Sequence, residues 1–149
     1  MAVFRENPYS RFNYLVDIGA GTDGVVAGFQ EVSGLGLEIA MAEYRNGNDR
    51  QNGPRKVPGL FSVSDVTLKR GVIGSLDLWE WIEQTRNGDA ASARQVTIQL
   101  LDEARSQTVQ AWTLVRARPT KYRGPLLAAQ GNDVAIEELV LCAEDLRLE

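Results

Sequence analysis

The sequence predicts a mainly β protein, an antiparallel β-barrel or sandwich with one flanking α-helix at about residues 76–87 and a long loop at about 45–60. Three observations lead to this prediction. Apolar and polar residues alternate along most of the chain, and one segment has helical periodicity. The length of 149 residues suits a single domain with one core, residues 1–149.

Alternating apolar side chains mark the strands, because successive residues of a strand point to opposite faces of its sheet. In the first strand, Phe12, Tyr14, Val16 and Ile18 alternate with polar or smaller residues. The same pattern predicts strands at about 12–18, 25–32, 37–44, 63–70, 96–100, 108–118 and 134–142. The Ala and Glu content of the last segment leaves a helix open there, and residues 119–131 are predicted to be irregular.

The helix is predicted from capping signals and from its apolar face. Ser75 is a candidate cap, Asp77 suits the positive first turn, and Gly88 is a stop signal. One face of the helix would carry Leu78, Trp81, Ile82 and Thr85.

The segment at 45–60 contains two Asn-Gly steps, two prolines and almost no apolar residues. It is therefore predicted as a long loop, and loops of this length in compact domains tend to be functional or disordered. Between Arg45 and Pro58 there are four basic side chains and one acidic side chain, whereas Asp133–Glu149 is strongly acidic. Two interpretations stay open at this point: two solvated surfaces of opposite sign, or surfaces that steer one subunit onto another.

Composition argues against several classes of function. The chain has no histidine, which removes the commonest general base and metal ligand, so an enzyme is disfavoured and no cofactor is predicted. Cys142 is predicted to be a small core residue, and the adjacent Glu137 and Glu138 would face opposite sides of a strand. A net charge of −4 disfavours a free nucleic-acid binder. The first residues do not resemble a secretory signal, and no apolar run is long enough for membrane anchoring.

Two further patterns have alternative interpretations. Glycines at 19, 21 and 24 match a dinucleotide-binding fingerprint, but a strand is predicted to follow where that fingerprint needs a helix, so a hairpin turn is favoured. Trp79, Trp81 and Trp112 could form a stacking platform for bases or sugars, although packing in the core or an interface is favoured.

Short motifs distributed along nearly the whole chain resemble the tail tube family of contractile phages and of extracellular contractile injection systems. Each motif is weak alone, but their order makes a chance resemblance improbable. They are NPYSRFN (7–13), AGFQEVSGL (27–35), EYRNG (43–47), RKVPGL (55–60), VTLKRG (66–71), LWEW (78–81), LDE (101–103), PTKYRGP (119–125) and GNDVAIE (131–137).

The resemblance implies a β-barrel with a flanking helix, shared with the haemolysin-coregulated tube protein of type VI secretion. It also implies hexameric rings that stack into a hollow inner tube. The implied partners are other copies of the chain, a contractile sheath protein, baseplate or tube-initiator proteins, a tape-measure protein, and protein or DNA cargo in the lumen. The protein would be made in the cytoplasm and end in a phage-tail-like particle that is released from the cell.

In this family the long loop reaches neighbouring subunits and the adjacent ring. The resemblance therefore assigns that role to Arg45, Asn46, Asn48, Asp49, Arg50, Arg55 and Lys56. As a hypothesis, the loop docks on an acidic counter-surface made by Asp133, Glu137, Glu138, Glu144 and Asp145.

Two other functions are kept as alternatives to a main tube subunit. One is a tube-initiating or baseplate-proximal ring of the same assembly, which would share most of these motifs. The other is a free ligand-binding β-barrel that uses its tryptophans. The first alternative predicts a ring that does not polymerise, and the second predicts a monomer with a concave aromatic pocket.

Overall fold

A computed structural model describes residues 2–19 and 26–149 of the chain. Within this part the strands are β1 Tyr14–Asp17, β2 Val26–Ala27, β3 Glu31–Ser33, β4 Leu37–Tyr44, β5 Arg55–Val63, β6 Val66–Gly71, β7 Arg94–Leu101, β8 Thr108–Arg123, β9 Ile136–Cys142 and β10 Asp145–Leu148. The α-helix α1 spans Asp77–Arg86, and a short 3-10 helix follows at Ala90–Ser92. The predicted mainly β class with one helix is confirmed.

Eight of the strands form one antiparallel sheet in the order β2-β1-β7-β8-β9-β6-β3, with β10 also pairing with β8. Among the described residues this sheet does not close into a barrel, and the sandwich form of the prediction fits. The core lies between its two halves, and it includes Val16 and Leu114 from one half and Leu68 and Leu139 from the other. Such packing of two inner faces is the usual way in which an antiparallel sheet buries its apolar side.

Strand β8 joins the two halves. Its first part pairs with β7 and β10, and its second part, from Arg118 onwards, pairs with β9. Arg116 lies between the two parts with a φ of 53°, a left-handed conformation that a non-glycine residue adopts at a bend or bulge. The predicted irregular segment at 119–131 is therefore wrong in its first part, because the strand continues to Arg123. Pro119 is accommodated beside a shift in register with β9.

Helix α1 confirms the predicted apolar face. Leu78 and Trp81 are buried, and the Trp81 indole Nε1 donates a hydrogen bond to the Ser92 carbonyl oxygen at 2.7 Å. Ser75 is not the N-cap as predicted, because Leu76 holds that position. The Asp77 carboxylate instead accepts a hydrogen bond from the Leu78 N–H at 2.9 Å.

The predicted loop at 45–60 is shorter in the structure, where residues 45–54 connect β4 and β5 and residues 55–60 belong to β5. Proline, glycine and low apolar content are loop signals in a strand that packs on a core, but this hairpin is exposed on both faces. A shift in register between Ile39 and Met41 accommodates Pro58-Gly59. A Cβ atom on Gly59 would lie 3.1 Å from the Ala40 carbonyl oxygen, so the two strands approach closely here.

The remaining strand predictions shift in their bounds. The predicted strand at 25–32 is two short strands, β2 and β3, and the one at 63–70 is β6. The segment predicted as strand or helix at 134–142 is strand β9, and β10 after it was not predicted. Most of the glycine motif lies outside the described residues, but β1 and β2 on either side of it pair antiparallel.

Candidate assembly surface

The hairpin formed by β4 and β5, residues 37–63, projects from the sandwich as an arm. Every strand residue of the arm is exposed except Val63, which is half-buried. The two strands form a separate two-stranded sheet. Because an isolated two-stranded hairpin is at best marginally stable in water, an arm of this kind needs a further surface to cover it.

One side of the arm is apolar. Residues paired across the two strands lie on the same side, and the register places Leu37 beside Val63 and Ile39 beside Phe61. Met41 continues this row towards the tip. Leu37, Ile39, Met41 and Phe61 are each 45–53% exposed, and we call these four residues the apolar face of the arm. Leu60, near the bulge, is 86% exposed.

The tip of the arm, residues 45–54, is held by its own hydrogen bonds. The Arg45 guanidinium donates to the carbonyl oxygens of Gln51 at 3.0 Å and Asp49 at 3.1 Å. The Asp49 carboxylate accepts a hydrogen bond from the Asn46 N–H at 2.9 Å and lies 3.5 Å from Arg55. The tip is thus ordered within the single subunit, and a pre-ordered segment loses less entropy if it binds another molecule.

The sequence-predicted tip residues therefore divide into two groups. Arg45, Asn46 and Asp49 hold the tip together, whereas the exposed residues Asn48, Arg50, Arg55 and Lys56 remain available at its surface. Of the latter group, Arg55 also reaches Asp49.

The predicted acidic residues lie in separate places. Asp133 is exposed in the connection before β9, and Glu144 and Asp145 follow the other end of that strand. Glu138 is on β9 itself, 3.8 Å from Arg123, and Glu144 is 3.2 Å from Arg116. The structure therefore does not bring these residues together into one surface within a single subunit.

Glu137 points into the fold, where it joins a buried ionic cluster. Its carboxylate lies 2.6 Å from Nε of Arg70, its cross-strand neighbour on β6, and accepts a hydrogen bond from the Tyr122 hydroxyl at 2.8 Å. The Arg70 guanidinium also pairs with Asp77 at the start of α1. The cluster links three strands to the helix. It takes Glu137 out of the predicted acidic surface, and it agrees with the prediction that Glu137 and Glu138 face opposite sides.

The environment of the cluster favours the charged form of Asp77 and the neutral form of Tyr122. Burial alone would raise the pKa of Asp77, but hydrogen bonds from Arg70 and Ser75 outweigh it and hold that pKa below its ordinary value. The hydrogen bond to Glu137, together with burial, raises the pKa of the Tyr122 hydroxyl. A signal for this cluster existed in the sequence. Val66, Leu68 and Arg70 are alternate residues of β6, so the Arg70 side chain points to the same buried face as the other two.

The three tryptophans do not form a stacking platform. Trp81 is buried under the helix, and Trp79 is partly exposed with its ring 5.5 Å from that of Tyr122, edge to face. Trp112 lies elsewhere, along an open groove of about 800 Å³ that also includes Tyr9, Phe12, Tyr14 and Phe29.

Two other features bear on function. Among the described residues, no group of three His, Cys, Asp or Glu side chains is placed to hold a metal ion. No helix in the described part of the chain is long and apolar enough to cross a membrane.

Comparison with solved structures finds close similarity to tail-like particles. One is the sheath-tube complex of the extracellular contractile injection system PVC in its extended state, with 28% identity, coverage of 97% of this chain and 93% of that chain, and a TM-score of 0.82. Another is the tube-terminating cap of the anti-feeding prophage, with 25% identity, coverage of 100% and 95%, and a TM-score of 0.82. Hcp1 from Flavobacterium johnsoniae shares the fold, with 13% identity, coverage of 91% and 93%, and a TM-score of 0.58.

A comparison with curated protein sequences finds no significant match. A family model, that of the T4-like virus tail tube protein gp19, matches residues 10–147. This match covers nearly the whole chain, including the arm and the ionic cluster, and it agrees with the solved structures and with the resemblance of the sequence motifs. The chain therefore belongs to the T4-like virus tail tube protein gp19 family and is a tail tube or baseplate-like protein of contractile injection systems.

Proposed function

We propose that this chain is a structural subunit of the inner tube of a contractile injection system or phage-like tail, and that it has no enzymatic role. Six copies form a ring, and the rings stack into a hollow tube that is driven through a target envelope when the sheath contracts. The observation that carries this proposal is the exposed arm, residues 37–63, because it is a surface that a single subunit leaves uncovered.

Covering the arm contributes favourable free energy to association. The four side chains of its apolar face are each about half exposed in the single subunit. Full burial of such a side chain contributes about 1.5–3 kcal/mol, so burying the remaining half of each gives about 4 kcal/mol per arm. The loss of translational and rotational freedom on association costs at least about this much, so a ring needs further contacts besides the apolar face of the arm.

The basic tip adds a directional contact. Arg50 at the tip and Arg55 and Lys56 at the start of β5 are exposed, and we infer that they dock on acidic side chains of a neighbouring subunit. The candidate acidic residues that remain at the surface are Asp133, Glu138, Glu144 and Asp145. Because these lie in separate places on one subunit, a neighbour would use a subset of them.

The further partners follow from the family. The similarity to a chain from a sheath-tube complex supports a contractile sheath protein around the tube. Baseplate proteins would start the tube, a tape-measure protein would set its length, and protein or DNA cargo would pass through the lumen. The particle would act outside the cell in which it is made.

Charge reversal at the tip tests the role of the arm. The double variant Arg55→Glu/Lys56→Glu should remain a folded monomer by circular dichroism but lose rings and tubes in negative-stain electron microscopy. A matched control is Arg86→Glu/Lys121→Glu, which reverses a basic residue at the end of α1 and another on the neighbouring part of β8, neither of them in the arm. Normal tubes from the Arg55/Lys56 variant would contradict the docking of the tip.

Electron microscopy of the unaltered protein, alone and with its baseplate proteins, tests the function itself. Hollow tubes support a main tube subunit, and tubes that form only on the baseplate show that assembly needs a nucleus. Single rings that never extend would favour the alternative of a tube-initiating ring. Compact monomers under both conditions would contradict the proposal and favour a free ligand-binding β domain.

A further inference from the structure

The N-terminal segment, residues 2–13, has no regular secondary structure but is ordered by hydrogen bonds. We call this segment the knot, although the chain is not threaded through itself. The Arg5 guanidinium donates to the carbonyl oxygens of Asn7 and Pro8, each at 2.7 Å. It also makes two hydrogen bonds to the Glu103 carboxylate, at 2.8 and 2.5 Å, and stacks on the Tyr9 ring, 3.8 Å from its centroid. One arginine thus fixes three points of the segment and ties it to the turn between β7 and β8.

Both ends of the knot are also bound to the sheet. The Val3 N–H donates to the Val109 carbonyl oxygen at 2.8 Å, and the Leu101 N–H donates to the Asn13 carbonyl oxygen at 2.9 Å. Despite this order, the knot leaves Phe4 with 92% of its surface exposed. A large apolar side chain presented on a pre-ordered segment is the form that a binding hot spot takes, because little entropy is lost when it docks.

A second apolar surface lies at the other end of β8. It consists of residues 72–76, after β6, and residues 124–135, between β8 and β9, and we call it the apolar end. The two segments are joined by a hydrogen bond from the Val72 N–H to the Ala135 carbonyl oxygen at 2.9 Å. Its strongly exposed apolar side chains are Ile73, Leu76, Leu126, Leu127 and Val134, with exposed fractions from 62% to 90%.

The apolar end has the composition of a contact surface. Its 17 residues contain a single charged side chain, Asp133. Depletion of charge combined with exposed large apolar side chains is typical of the centre of a protein interface and is unusual on a surface that meets only water.

In one subunit the knot lies at the start of β8 and the apolar end lies after its last residue, so the two surfaces do not contact each other. Strand β8 has 16 residues, bends at Arg116, and runs from the knot to the apolar end, so the two surfaces lie at its opposite ends. Complementary patches at two different places on one molecule form a heterologous contact, and such contacts propagate head to tail from copy to copy.

We propose that the knot of one copy docks through Phe4 on the apolar end of the next copy. This inference rests on the proposed tube function and deepens it, because it names a pair of surfaces by which identical subunits join in one direction. It is separate from the arm, which uses other residues. In the proposed contact, the exposed Asp133 of the apolar end would face the exposed Arg11 of the knot and Arg105 of the adjoining β7–β8 turn on the other copy, alongside the exposed Glu6 and Glu103.

Two single variants test the pairing. Phe4→Asp spoils the knot surface and leaves the apolar end intact, whereas Leu127→Asp does the reverse. Each aspartate variant should lose the contact between knot and apolar end and therefore form no tubes. Phe4→Leu and Leu127→Met keep the apolar character of the side chain and should assemble normally. Both aspartate variants should retain the circular dichroism spectrum and melting temperature of the unaltered protein, since both side chains are exposed.

The decisive result is obtained when the two purified aspartate variants are mixed. The Leu127→Asp protein still has an intact Phe4, and the Phe4→Asp protein still has an intact apolar end. One contact can therefore form between the two proteins. Mass photometry should show particles with twice the mass of those in either sample alone, and no tubes. Normal tubes from either aspartate variant, or no doubling on mixing, would overturn the inference while the unaltered protein still forms tubes. Failure of the unaltered protein to assemble would overturn both the inference and the proposed function.

Discussion

Replacing Arg70 by methionine should destabilise the fold more than any exposed charge substitution. Arg70 is 3% exposed and connects Glu137 on β9 with Asp77 on α1. Methionine keeps the length of the side chain but removes every donor. Glu137, itself 5% exposed, would keep the Tyr122 hydroxyl as a partner but lose its counter-charge.

The expected loss follows from the burial of the pair. Removing one partner of a buried ion pair typically lowers the free energy of unfolding by 3–5 kcal/mol, because the other charge is left without compensation. For a domain of about this size, 1 kcal/mol corresponds to about 2–4 °C in melting temperature, so a decrease of roughly 6–20 °C is expected. Tyr122→Phe removes one hydrogen bond from the same cluster and should lose about 1–2 kcal/mol.

Urea unfolding followed by tryptophan fluorescence measures these changes in the free energy of unfolding. The control is Arg86→Met, which removes an exposed pair with Glu83 and should change the free energy of unfolding by less than about 0.5 kcal/mol. The double variant Arg70→Met/Glu137→Leu should recover part of the loss, because no charge on β9 is then left unpaired inside. A loss below 1 kcal/mol for Arg70→Met would refute the view that the cluster holds the helix on the sheet.

Two further predictions concern the base of the arm and the knot. Gly34, just before β4, has a φ of +88°, and a Cβ there would lie 2.1 Å from the Asp65 carbonyl oxygen, so Gly34→Ala should lower the free energy of unfolding by more than about 2 kcal/mol or displace the arm. Gly88→Ala is the control, since its φ is +78° but no neighbouring atom lies within 4 Å, and urea unfolding should show a loss of about 1–2 kcal/mol. The hydrogen bond from Arg5 lowers the pKa of Glu103 from 4.5 to about 2, so the stabilisation of the knot is complete above pH 4.5 and is lost as the pH falls towards 2. The protection factors of the amides in residues 2–13, which correct for the intrinsic pH dependence of exchange, should therefore fall through this range, and Glu103→Gln should show low protection at all pH values; unchanged protection at pH 2 would contradict the role of this ion pair.

The sequence predicts the parts of the fold in which local pattern and core packing agree. The strand around Val16 and the helix with Leu78 and Trp81 each bury one side, so their periodicity is visible in the residues themselves. The class of fold and the position of the helix follow from that periodicity. The resemblance of the motifs to tail tube proteins is confirmed by the family model.

The arm could not be predicted from periodicity, for a physical reason. Its strands bury neither face in the single subunit, so they need no alternation of apolar and polar residues by which a strand could be recognised. Pro58 and Gly59 also resemble loop residues. Its partner is expected to be another molecule, which the sequence of one chain does not place. The predicted tip residues from Arg45 to Lys56 do lie at the end of this arm or in its first strand residues, and their role in contacts between subunits stays a prediction.

The acidic residues illustrate a second limit, which is that nearness in sequence differs from nearness in space. Asp133 and Glu144 are separated by the full length of β9, and Glu137 between them is turned inwards by the alternation of the strand. The partner of Glu137 is Arg70, which is distant in sequence and becomes its neighbour through the pairing of β6 with β9. Only the register of the sheet reveals that these two charges neutralise each other.

The continuity of β8 has a mechanical consequence for a subunit that is pushed. Since both halves of the sheet hydrogen-bond to this one strand, a load applied at either end of it is resisted in shear by many backbone hydrogen bonds at once. The two halves cannot slide apart or unfold separately without breaking the pairing of the shared strand. In the proposed tube, each subunit would therefore resist deformation along this strand as one unit.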